Sequence, residues 1–125
     1  FQGVSLAMWE ELWPDAALYG IDLDFARFDA NLPFLRSQGA DLSDVNRIFW
    51  DAYSEDAPVL PRFDLFIDDG PHTEPAIRNV LNLLSGRLRK GGLYVVEDFD
   101  AASILRQRFP DAELFVAGRI AAVRL

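Results

Sequence analysis

Apolar residues in this chain come in short blocks that end on acid. Ala17-Leu18-Tyr19-Gly20-Ile21 runs into Asp22-Leu23-Asp24, and Asn46-Arg47-Ile48-Phe49-Trp50 into Asp51-Ala52. Phe63-Asp64-Leu65-Phe66-Ile67 runs into Asp68-Asp69-Gly70-Pro71-His72, and Leu93-Tyr94-Val95-Val96 into Glu97-Asp98. Such blocks, bounded by turn formers, predict strands over Ala17 to Ile21, Asn46 to Trp50, Asp64 to Ile67 and Leu93 to Val96. Helical spacing appears between them. Leu6, Met8, Trp9, Leu12 and Trp13 predict a helix over Ser5 to Leu12, stopped by Pro14-Asp15. Pro33 confines the weakly periodic stretch Phe25 to Gln38 to a helix from about Pro33 to Ser37. Ile77, Val80, Leu81, Leu84 and Leu88 form the apolar stripe of a helix that starts near Thr73 or Glu74, with Pro75 in its first turn, and ends on Lys90-Gly91-Gly92. Ala101 to Phe109 reads as a short helix, and Ala112 to Ala117 and Ile120 to Leu125 as a hairpin around Gly118-Arg119. Ser54 to Arg62, with Pro58 and Pro61, reads as a loop.

The alternation of strand and helix from Ala17 onward predicts an α/β fold: a doubly wound, mostly parallel sheet with a C-terminal antiparallel hairpin. A helix between Thr73 and Lys90 makes a βαβ crossover, so the strands on either side lie parallel and their acidic tips point the same way. In open α/β sheets that carboxyl edge is where ligands bind.

Composition narrows the ligand. Twelve basic residues against 20 acidic ones give a net charge of −8, which disfavours nucleic acid or an anionic membrane as partner and suits a cation or a cationic cofactor. The absence of cysteine excludes disulfides, thiolate metal sites and cysteine nucleophiles. A chain of 125 residues is one domain by length. No apolar run approaches the ~18 residues of a membrane span, and the start lacks the layout of a signal peptide, so the cytoplasm is the expected compartment. The first residue is Phe1, and a segment cut from a longer reading frame is expected.

Hard divalent cations such as Mg²⁺ take oxygen ligands, and carboxylates converging at a sheet end suit them. Asp69, Glu97 and Asp98 are the candidates. Strand alternation points Asp68 and Asp69 to opposite sides, so only one of the two meets the metal directly and alternation alone does not say which; Asp69 is grouped with the metal and Asp68 with the cofactor. His72, the only histidine, lies on the turn after them, where an imidazole can take a proton from a nearby hydroxyl; helix capping and metal ligation are its other roles. Asp22 stands where nucleotide-binding α/β proteins place an acid on ribose hydroxyls, with Asp24 competing, and Asp51 is placed to meet an adenine amino group. Gly3 offers a backbone N–H at a helix start. The plainer reading is that these acids solvate strand ends or cap helices. Trp9, Trp13, Trp50 and the ten phenylalanines read as packing.

In Ile67-Asp68-Asp69-Gly70-Pro71-His72 and Leu88-Arg89-Lys90-Gly91-Gly92-Leu93-Tyr94-Val95-Val96-Glu97-Asp98 the chain resembles class I S-adenosylmethionine-dependent methyltransferases, which are Rossmann-like. Within them it is most similar to the metal-dependent sugar O-methyltransferases of macrolide tailoring, of the macrocin and mycinamicin type, and to the related cephalosporin-hydroxylase-like group. Those carry I-D-D-G-S-H-like and G-G-x-Y-V-x-E-D blocks; here Pro71 replaces the usual serine. Tyr19-Gly20-Ile21-Asp22-Leu23-Asp24 resembles the family's second strand. The resemblance implies S-adenosylmethionine and Mg²⁺ as cofactors and a small-molecule hydroxyl, such as that of a natural-product sugar, as methyl acceptor. It also implies that Asp69, Glu97 and Asp98 hold the metal, that His72 is the base, that Asp22 grips ribose, and that Asp51 and Ala52 lie near adenine. In the family a central first strand and a glycine-rich turn come before the position of Phe1, so the 125 residues alone are expected to be a partial domain that binds S-adenosylmethionine poorly and is inactive. Two alternatives stay open: a metal-dependent hydroxylase or hydrolase, and a non-catalytic interaction domain. An iron oxygenase is disfavoured, because its two histidines and a carboxylate need more than one histidine.

Overall fold

The computed structural model describes residues 2–54, 56, 58–84 and 86–125. Phe1, Glu55, Ala57 and Ser85, which fall in the expected turn, loop and helix, lie outside them. The chain folds as two compact units, 1–51 and 52–125.

The first unit runs α1 (Val4–Leu12), β1 (Tyr19–Asp22), α2 (Ala26–Ser37) and β2 (Asn46–Phe49). β1 and β2 pair in parallel, Tyr19 opposite Asn46 and Asp22 opposite Phe49. Leu6 from α1, Phe28 and Leu35 from α2, and Phe25 and Leu42 beside α2 close the core. Here α2 departs from the expected start at Pro33, for it begins at Ala26 and carries that proline inside. Phe25, Phe28, Leu32 and Leu35 keep helical spacing across it, and burying that stripe outweighs one lost backbone hydrogen bond. The Glu10 carboxylate ties α1 to the segment after α2 by accepting the N–H groups of Asp41 at 2.9 Å and Leu42 at 2.8 Å.

The second unit contains β3 (Phe63–Asp68), α3 (Glu74–Leu83), β4 (Leu88–Val96), α4 (Ala102–Arg108), β5 (Glu113–Ala117) and β6 (Ile120–Arg124). Its sheet has the order β3-β4-β6-β5, with β3 and β4 parallel, β6 antiparallel to β4, and β5 and β6 a hairpin. Ala76, Ile77, Val80 and Leu81 are the buried face of α3.

The boundary between α3 and β4 corrects the expectation that the helix ends on Lys90-Gly91-Gly92. The helix stops at Leu83, Gly86 takes the left-handed conformation after it (φ 74), and Leu88 opens the strand. The two glycines instead absorb a bulge: Phe63 faces Leu88 but Leu65 faces Leu93, so β4 holds extra residues there. A Cβ on Gly92 would sit 2.9 Å from the Arg89 carbonyl oxygen, which is why a residue without one occupies the kink. Beyond the bulge the register is regular up to Asp68 opposite Val96.

Candidate active site

Register brings the acidic tips of β3 and β4 to one level. The Glu97 N–H donates to the Asp68 carbonyl at 2.9 Å and carries the parallel ladder one step past the strand ends. Asp69-Gly70-Pro71-His72 and Glu97-Asp98 then leave the sheet side by side.

Among the described residues, Asp69, His72 and Asp98 form one group whose ligand atoms all lie within 4.8 Å of one another, and all three are exposed. Within it His72 Nε2 is 3.2 Å from Asp69 Oδ1. An ionised carboxylate only accepts, so in that state Nε2 carries the hydrogen and Nδ1 the lone pair. His72 (φ 51) and Asp98 (φ 53) both occupy the left-handed region, unfavourable for residues with a Cβ.

Glu97, half-buried, is outside that group but feels it. Its carboxyl is pushed above the ordinary range, first by burial and then by the negative charges of Asp69 and Asp98, with His72 opposing. Three acids repelling one another at a sheet edge, two of them close enough to share an ion, form an oxygen-rich donor set that fits a hard divalent cation.

Asp68 points the other way, as strand alternation requires. It is buried, at 7% exposure. Its Oδ2 accepts the Tyr94 hydroxyl at 2.6 Å, and its Oδ1 accepts the Gly70 N–H at 3.1 Å. Burial raises its pKa, and the two hydrogen bonds act against that rise. Both bonds shape the turn that presents Asp69 and His72.

Ala52 is held from α3, where Asn79 Nδ2 donates to its carbonyl at 2.8 Å and to that of Ser54 at 2.7 Å. Tyr53 and Thr73 share a 2.8 Å hydroxyl contact alongside.

In the first unit Asp22 ends β1 half-buried, and its Oδ1 accepts the Asp24 N–H at 3.3 Å. Asp24 in turn accepts the Ala26 N–H at 2.6 Å, so the competing acid caps the entry to α2. Asp51 follows β2, also half-buried. Gly3 precedes α1 at φ 81, and a Cβ there would lie 2.3 Å from the Phe28 ring, so packing alone demands glycine.

Tyr94, Asn79 and Arg119 were not among the residues singled out from the sequence. A tyrosine inside a buried strand needs a partner for its hydroxyl, and that was the available signal for Tyr94.

A family model described as a methyltransferase domain matches residues 1–99. The chain belongs to this methyltransferase family. L-olivosyl-oleandolide 3-O-methyltransferase of Streptomyces antibioticus is 32% identical over 96 residues, and mycinamicin VI 2''-O-methyltransferase of Micromonospora griseorubida is 33% identical over 98. Each match covers 77% of this methyltransferase chain, which spans about a quarter of either relative's length (23%). In fold it is similar to the MycE methyltransferase of the mycinamycin biosynthetic pathway, solved with Mg, SAH and mycinamycin VI, at a TM-score of 0.69 and 22% identity, covering 95% of this chain and 39% of that one. The methyltransferase chain thus has the α/β, Rossmann-like fold, with the mixed four-stranded sheet bearing the acidic edge. No helix among the described residues is long and apolar enough to cross a membrane.

Proposed function

We propose that this chain is part of a Mg²⁺-dependent O-methyltransferase that methylates a hydroxyl of a small molecule from S-adenosylmethionine. The observation that carries it is the convergence of Asp69, His72 and Asp98 at the carboxyl ends of two parallel strands. Macrolide and oleandolide sugar O-methyltransferases among the relatives favour a sugar hydroxyl on a natural product as acceptor. The net charge of −8 agrees with a small acceptor better than with nucleic acid.

Asp69 and Asp98 would hold the cation, with Glu97 beside them. S-adenosylmethionine supplies an electrophilic methyl group, and the cation supplies positive charge that makes a hydroxyl more acidic. His72 takes the hydroxyl proton at Nδ1, and Asp69 stabilises the imidazolium through Nε2. Asp68 fixes the turn between them through Gly70. Asp22, Asp51 and Ala52 are proposed to receive the ribose and adenine, and Gly3 a ligand carboxylate.

The test is transfer of a labelled methyl group to a glycosylated polyketide acceptor by the intact protein. Transfer that stops with chelator and returns with Mg²⁺ is expected. Undiminished transfer in chelator would remove the metal from the proposal, and no transfer to any hydroxyl acceptor would favour the hydroxylase or non-catalytic alternatives.

A further inference from the structure

We propose that Arg119, at the tip of the β5-β6 hairpin, is a positioning residue for Asp98. Ala117 pairs with Ile120, so Gly118-Arg119 is a two-residue loop, and Gly118 (φ 60) supplies the positive φ that the first position of a II′ turn requires. Arg119 therefore stands at the second position, exposed, outside the 1–99 stretch matched to the family.

From there it grips the loop after β4 twice. Its Nη2 donates to the Asp98 carbonyl, and its own carbonyl accepts the Phe99 N–H at 3.2 Å. Asp98 lies exposed just past β4 with a left-handed backbone. The guanidinium hydrogen-bonds its carbonyl and brings positive charge to an edge crowded with Asp69, Glu97 and Asp98. Both contacts fall on the peptide unit that joins Asp98 to Phe99, and holding that peptide restricts where the Asp98 carboxylate meets Asp69.

This inference rests on the proposed cation site, so its test reads cation affinity directly. Mn²⁺ binding is titrated by electron paramagnetic resonance in the intact protein and in its Arg119→Ala, Arg119→Lys and Asp69→Asn variants, alongside thermal unfolding. Loss of the outer partner of a metal ligand weakens binding by about 10- to 100-fold. Arg119→Ala is expected at the lower end of that range with its melting midpoint unchanged. Arg119→Lys, which keeps the charge but not the planar fork, should fall between Arg119→Ala and the parent.

Parent-like affinity in Arg119→Ala, while Asp69→Asn loses Mn²⁺, would overturn the inference alone. So would parent-like affinity in Arg119→Lys, which would reduce the effect to charge, or a weakening matched by a lowered melting midpoint, which would make Arg119 merely structural. A parent protein that binds no Mn²⁺ would overturn the cation site and this inference together.

Discussion

The Tyr94 hydroxyl donates to Asp68 Oδ2 at 2.6 Å inside the second unit, a buried bond between the two strands that carry the acidic tips. Burial, the Asp68 charge and this bond all raise the Tyr94 pKa, so Tyr94 stays a donor throughout the working pH range. Tyr94→Phe would leave Asp68 with Gly70 as its one remaining partner of the two and should cost about 1–3 kcal/mol of unfolding free energy, measured by denaturant titration.

The same pair sets a pH dependence. The folded-state pKa of Asp68 is raised, chiefly by burial, so the folded chain holds a proton there that the unfolded chain releases. Its contribution to stability is fully present below the ordinary carboxylate range and is lost as pH rises through the folded value. Asp68→Asn, which cannot ionise but can still accept from Tyr94, should flatten that decline in a series of melting curves.

His72→Ala should lower turnover about 100-fold or more while changing affinity for S-adenosylmethionine little, because a general base acts in the chemical step. Steady-state kinetics beside calorimetric cofactor titration separate the two. The left-handed backbone adds a second expectation: His72→Gly should be more stable than His72→Ala by about 1 kcal/mol, since glycine meets no penalty at φ 51.

Gly3→Ala should destabilise the first unit by about 2 kcal/mol or more, seen as a lower melting midpoint by circular dichroism. The new methyl group would meet the Phe28 ring at 2.3 Å, and φ 81 would strain any side chain. An unchanged melt would mean that the ring can move aside.

Much of the fold was legible because the apolar blocks are short and each stops on a carboxylate. The parallel register of β3 and β4, and with it the meeting of Asp69 and Asp98, follows from a helical stripe between two such blocks. What escaped were competitions that pattern alone does not weigh. Pro33 argued for a late start to α2, but the stripe through Phe25, Phe28, Leu32 and Leu35 was worth more than the bond it removes. Gly91-Gly92 looked like a helix end and proved to be a bulge, because Gly86 already supplied the left-handed turn. Asp69 and Asp98 meet with His72 in one compact group, whereas Glu97 is felt there through its charge. The long-range bonds of Tyr94, Asn79 and Arg119 depend on which loops face each other, and no local spacing encodes that.

The shared ion is the centre of the account. Anomalous diffraction from crystals of the intact protein soaked in Mn²⁺ tests it most directly. A single strong peak between the carboxylates of Asp69 and Asp98, with His72 beside it, is expected. A peak elsewhere, or none while those two carboxylates remain together, would contradict it.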